Sequence, residues 1–267
     1  MATSVEHFEG RHPGVSHLGA HAFHISDHDK KYRRHAANHI AAMAGKKTLM
    51  AIGGLSPYVE AQYTATKQNS STIAEAADGL RFQTDATATD EDDITITSAR
   101  TYTIAANKIF TMTAKVKVSH ATSFGFLVGF VTSGSTVPGS TAPADGVYFI
   151  KAHSSAALTA RVIENSSAAD DVTDFEDADG TASAVTIVAD TFVELGMKFM
   201  AGSSADNSWG EWLVDGFVTK MTAAQVTAVY TMLATTPAVL AAHVGFRVDG
   251  TTQRNGILAF ALADVDA

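Results

Sequence analysis

From about residue 79 onward, apolar and polar residues alternate with a period of two. Phe110, Met112, Ala114, Val116 and Val118 interleave with Thr111, Thr113, Lys115, Lys117 and Ser119. That spacing predicts a strand with one apolar and one wet face. Phe124, Phe126, Val128 and Phe130 then share a face opposite Gly125 and Gly129, beyond a turn containing His120 and Ser123. Further strands are predicted at 146–152, 157–164, 184–189, 191–200, 209–218, 242–248 and 256–265. Polar clusters at 177–180, 202–207 and 249–255 separate most of them. Many short alternating strands with turns between them indicate an all-β sandwich. The exception is 222–233, where Ala223, Val226, Val229, Tyr230 and Leu233 fall at helical spacing. Thr222 is the expected N-cap of that helix, and Pro237 prevents its continuation.

The first 56 residues differ. They hold eight of the eleven histidines: His7, His12, His17, His21, His24, His28, His35 and His39. A short helix is expected from Ser26, which would cap it, to Gly45, which would end it. Residues 57–78 read as a polar linker, leaving 79–267 as the sandwich. Charge follows the same division. Residues 1–50 carry seven Lys/Arg against four Asp/Glu, a balance of +3, and the other 217 carry twelve against twenty-four, a balance of −12. The pattern is a basic arm on an acidic body. An arm this polar cannot bury enough apolar area to offset its ordering entropy, so its contacts are expected in an assembly.

Composition narrows the chemistry. The chain has no cysteine, which excludes disulfides, thiolate metal sites and cysteine nucleophiles. No apolar run reaches the roughly 18 residues of a membrane span, and no export signal opens the chain, so a soluble protein made without one is expected.

The segment Thr191–Phe199, followed by Trp212–Val218 with Asp215–Gly216 as its tight turn, resembles the paired strands of concanavalin A-like, laminin G-like jelly rolls. Phe192 stands where that family often has Trp. With 110–119, 123–131 and 256–267, the resemblance spans about seven-tenths of the chain. The arrangement also resembles virion structural proteins of tailed bacteriophages, in which a jelly roll follows a short N-terminal segment. That resemblance implies a capsid decoration or cement protein: non-enzymatic, without cofactor, assembled in the host cytoplasm and placed on the capsid surface. It also implies the major capsid protein and neighbouring copies as partners, in a homo-oligomer such as a trimer. A carbohydrate-binding module of a phage tail or fibre is the alternative.

The candidate interface lies in the arm: His17, His21, Phe23, His24, His28, Lys30, Lys31, Tyr32, Arg33 and Arg34. On a helix the four histidines would be spaced to converge on zinc or nickel, but Gly14 and Gly19 weaken a helix there, and interface packing is the reading adopted. The Lys30–Arg34 cluster is short and joined to an acidic body, which favours docking on protein over direct nucleic-acid binding. The acidic stretch 170–180 lacks the ligand positions of an EF-hand loop and reads as a solvated hairpin, and Asp90–Asp93 carries the same ambiguity. No E-x-D-x-x-E string or G-x-S-x-G elbow is present. Trp209, Trp212, Tyr148 and Tyr230 are candidates for a sugar-stacking platform, against the commoner role of such aromatics in the core.

Overall fold

The computed structural model describes residues 63–67, 70–76, 78–84, 92–132, 143–168, 171–234, 236–248 and 253–265. The arm, and with it every candidate interface residue from His17 to Arg34, lies outside the described residues.

Two antiparallel seven-stranded sheets face each other. Sheet A runs β1 (Tyr63–Lys67), β4 (Asp93–Thr103), β15 (Val239–Val248), β6 (Phe124–Thr132), β7 (Gly146–Lys151), β8 (Leu158–Glu164) and β9 (Ser167–Ala168). Sheet B runs β14 (Phe217–Lys220), β13 (Trp209–Val214), β12 (Val193–Met200), β5 (Ile109–Val118), β16 (Asn255–Val265), β3 (Gly79–Gln83) and β2 (Thr72–Ala76). A small hairpin of β10 (Asp174–Glu176) and β11 (Ala182–Ala184) stands beside them. This is the all-β antiparallel sandwich that the alternation predicts.

The core lies between the sheets because the strands' inward sets are apolar, with Lys151 of β7 as an exception. Phe110 of β5 stacks on Phe199 of β12 at 5.0 Å and meets Phe130 of β6 edge-on at 5.6 Å, tying the layers together. Trp212 is fully buried, and its indole N–H donates to Gln225 Oε1 at 3.1 Å. Gln225 belongs to α1 (Ala223–Ala234). Its backbone N–H donates to Thr222 Oγ1 at 3.1 Å, and Thr222 N–H donates back to Gln225 Oε1 at 3.3 Å. Thr222 therefore caps the helix as expected, in a reciprocal capping box. Asp215 and Gly216, at φ 48° and 96°, form the tight turn between β13 and β14.

Three differences from the sequence reading have physical causes. Residues 57–78 do not form only a linker: β1 and β2 lie within them as outer strands of the two sheets. An edge strand needs only one neighbour and little apolar surface, so Thr64, Thr66 and Lys67 are compatible with it. Residues 93–103, read without a strand, form β4, and its acidic start is buried rather than looped out: Asp92 is 2% and Asp93 6% exposed. Residues 184–189 are not a strand. There β11 ends at Ala184 and only an isolated bridge, Thr186 to Ala157, follows.

Candidate functional site

Strand register gathers polar groups on the outer face of sheet A. Thr97 pairs with His243, His243 with Gly129, Gly129 with Tyr148, and Tyr148 with Arg161. With strands about 4.8 Å apart, these five residues make a straight row about 19 Å long across the sheet. Thr97 Oγ1 and His243 Nδ1 share a hydrogen bond of 2.8 Å. Arg161 closes the far end with a forked pair, Nε donating to Asp171 Oδ1 at 2.7 Å and Nη2 to Oδ2 at 2.5 Å. Gly129 is required in the middle: a Cβ there would lie 2.4 Å from Tyr148 Cβ and from the Val147 carbonyl oxygen.

Around the row, β6, β7 and β8 contribute apolar side chains to this face, whereas β4 and β15 also carry buried polar groups on it, Thr95, Asp93 and Arg247. Leu127, Val131, Tyr148 and Ile163 form a cluster separate from the inter-sheet core, with Ile150 packed against it. None of the four clustered side chains is more than 2% exposed. His243 is 1% exposed, and its Nε2 has no hydrogen-bond partner among the described residues.

Burial sets the protonation states. It lowers the His243 pKa from 6.5 to about 4, leaving the ring neutral at pH 7. It raises Tyr148 to about 12, with the Arg161 charge and hydrogen bond opposing part of that rise. Arg161 is held more firmly protonated, chiefly by its hydrogen bond to Asp171, against the cost of its own burial. A general acid or base works best with a pKa near the working pH, and burial moves Tyr148 and His243 in opposite directions away from it.

Lys151 was not singled out by sequence reasoning. It is fully buried on the inward face of β7, its ammonium donating to the Phe124 carbonyl at 2.8 Å and the Ala152 carbonyl at 3.1 Å. Burial lowers its pKa to about 8. The signal was available, since Val147, Phe149 and Lys151 share one face of a period-two strand. The His243 row carried no comparable signal, because it depends on the long-range register of five strands.

The proposed sugar-stacking platform does not assemble. Trp212 is core, Tyr148 lies on the outer face of sheet A, Trp209 is at the start of β13 with Lys198 Nζ 5.6 Å above its ring, and Tyr230 is on α1. The stretch 171–180 leads into the β10–β11 hairpin, where Asp177 Oδ1 accepts the N–H groups of Asp179 and Thr181 at 3.0 Å each. That carboxylate organises its own turn. Two acids on strands, Glu164 and Glu194, are separated as well. Glu164 accepts from Asn165 Nδ2 in sheet A, whereas the Glu194 N–H donates to Asp215 in sheet B.

No protein-family model matches the chain, and no curated protein matches it in sequence. Among solved structures its backbone is similar to the carbohydrate recognition domain of Emp47p, at 13% identity and a TM-score of 0.47, over 77% of this chain and 88% of that one. It is similar to the seed lectin of Lotus tetragonolobus, at 10% identity and a TM-score of 0.47, over 77% and 93%. It is also similar to the endo-beta-1,4-glucuronan lyase of the fungus Trichoderma reesei, at 13% identity and a TM-score of 0.48, over 76% and 90%.

Proposed function

We propose that this chain is a non-enzymatic structural protein that works by docking, in the setting of a tailed-phage virion where it decorates or cements the shell. One observation supports the docking role: sheet A carries a second apolar cluster on its outer face, Leu127, Val131, Tyr148 and Ile163, outside the sandwich core. Antiparallel sheets with one solvated face alternate apolar-in and polar-out. A face that breaks that rule over three adjacent strands, with side chains at most 2% exposed, is one that other protein atoms cover. The protonation states agree, because neither His243 nor Tyr148 is tuned to move protons near neutral pH. The docking partners in this reading are neighbouring copies and the major capsid protein.

The second reading is a carbohydrate-binding module, and the transverse row favours it. An aromatic ring, an imidazole, a guanidinium and a hydroxyl lie in one row, groups suited to stacking and directed hydrogen bonds with a sugar ring, with Arg161 open to solvent at one end and Tyr148 and His243 beneath the surface. Sedimentation velocity over a range of concentrations, run beside a glycan array, separates the two. Concentration-dependent oligomers with no glycan bound support docking. A monomer at every concentration that binds a glycan, and loses it in Tyr148→Ala, replaces docking with the carbohydrate reading.

A further inference from the structure

A strand at the end of a sheet keeps one row of backbone N–H and C=O groups outside the ladder, and proteins normally shorten, cover or charge such an edge. Among the described strands, sheet A ends in β1 and β9, and sheet B ends in β14 and β2. β9 is only two residues long. β14 lies beside the β10–β11 hairpin, where the Glu176 N–H donates to Thr219 Oγ1 at 2.8 Å. β1 has neither protection. It is five residues long, Tyr–Thr–Ala–Thr–Lys, and among the described strands it pairs only with β4. Register sets Ala65 and Lys67 on the same face as the core residues Ile96 and Ile94, and Thr64 and Thr66 on the opposite face with Thr97 and Thr95. Thr64, Ala65, Thr66 and Lys67 are nevertheless all exposed. Both faces of this edge strand are therefore open to solvent.

We propose that β1 pairs antiparallel with β1 of a second copy, joining two A sheets across a two-fold axis at Ala65. This rests on the docking reading and deepens it, by naming the strand through which neighbouring copies meet. The sequence of β1 selects a copy of itself. Turned end for end about Ala65, the strand sets Thr64 opposite Thr66 of the second copy, and Lys67 opposite residue 63. Threonines paired across strands stabilise a sheet, and the one charge in the strand meets no like charge. On the outer face the row Thr97–Thr64 of one copy then runs on into Thr66–Thr95 of the other. β2 lacks this symmetry, because turned about Ala74 it sets Ile73 opposite Glu75. A two-fold contact closes on itself, so it gives dimers and not filaments. Five paired residues bury less than the ~1,200 Å² at which stable interfaces begin, so the free dimer is weak and other contacts in an assembly reinforce it.

The chain has no cysteine, so a single introduced thiol can form a disulfide only with another copy. Residues directly opposite in an antiparallel pair have Cα atoms about 4.5–5.5 Å apart, within the reach of a disulfide, whereas residues two positions out of register lie beyond it. The test uses full-length Ala65→Cys, Thr64→Cys and Thr66→Cys, with Thr72→Cys at an exposed position of β2 as the control. Each is checked for the wild-type unfolding transition and then oxidised in a glutathione redox buffer. Ala65→Cys is expected to form covalent dimer about tenfold faster than Thr72→Cys, through the raised effective concentration of the paired thiols. A mixture of Thr64→Cys and Thr66→Cys is expected to crosslink faster than either variant alone. That comparison reads the register, and it still decides the matter if Ala65→Cys fails to fold. Dimer formation by a folded Ala65→Cys no faster than by Thr72→Cys, or by the mixture no faster than by its components, would overturn the proposal. Concentration-dependent oligomers in sedimentation velocity without either crosslink would overturn it too, while leaving docking in place through another surface.

Discussion

The two outer faces of the sandwich follow different rules. On sheet B, Thr111, Lys198, Glu211 and Lys220 line up in register across four strands. Lys117 pairs with Asp78 at 2.5 Å and lies 4.8 Å from the centre of the Phe192 ring. Its charged groups stay partly in water, although Thr113 and Leu213 in the middle of the face are buried. On sheet A the outward positions include Leu127, Val131, Tyr148, Ile163 and His243 together with Thr95, Asp93 and Arg247, all buried. One fold therefore carries a face finished by solvent and a face finished by other atoms. The contrast separates what the sandwich needs to fold from what it carries in addition. Charged outward positions such as those of sheet B suffice for an antiparallel sheet, so the apolar surface of sheet A is an added feature.

Substitutions should show the difference directly. The largest effect is expected for Leu127→Asp, which puts an unpaired carboxylate into the sheet A cluster and should cost about 3–5 kcal/mol in denaturant unfolding. A cost below about 1 kcal/mol would mean that Leu127 faces water.

Acid should act through His243. The unfolded chain takes up the proton near 6.5 and the folded chain only near 4, so the unfolded state binds more protons between those values. The contribution is fully present above pH 6.5 and is lost as pH falls toward 4, by up to about 3 kcal/mol. Carboxylates titrate at the lower end of that window, so the measured quantity is the difference in stability–pH slope between wild type and His243→Asn. Equal slopes would show that the ring is not buried neutral.

Removing the hydroxyl beside that ring is a smaller change. Thr97→Val deletes the 2.8 Å hydrogen bond to Nδ1 and should cost about 1 kcal/mol at pH 7. Smallest of all, Lys198→Ala on sheet B should change stability by no more than about 0.5 kcal/mol, because a half-exposed lysine there loses only screened interactions. A Lys198→Ala cost equal to that of Thr97→Val would erase the distinction between the faces.

Legibility in the sequence followed the same division. In a central strand with one wet face the period of two was visible, as in β5, where Lys115 and Lys117 alternate with Val116 and Val118. The helix was legible through the helical spacing of its apolar residues and through Thr222, because an N-cap is a local signal. Strands β1 and β2 were not, since edge strands tolerate Thr and Lys. The outer face of sheet A was half legible. The run Phe124–Val131 is apolar or glycine throughout, the mark of a strand buried on both sides, and Leu127 and Val131 sit on its glycine face. The row from Thr97 to Arg161 was beyond reach. It joins residues from five strands through pairings up to 146 positions apart, and no local pattern encodes that register.

Hydroxyl-radical footprinting of the full chain tests most directly whether the outer face of sheet A is covered. Leu127, Tyr148 and Ile163 should oxidise far more slowly than Phe217, which is 40% exposed, and Val239, which is 41% exposed. Oxidation of Leu127 and Tyr148 at rates matching Phe217, in a protein that still unfolds cooperatively, would show the face open to water and contradict the account.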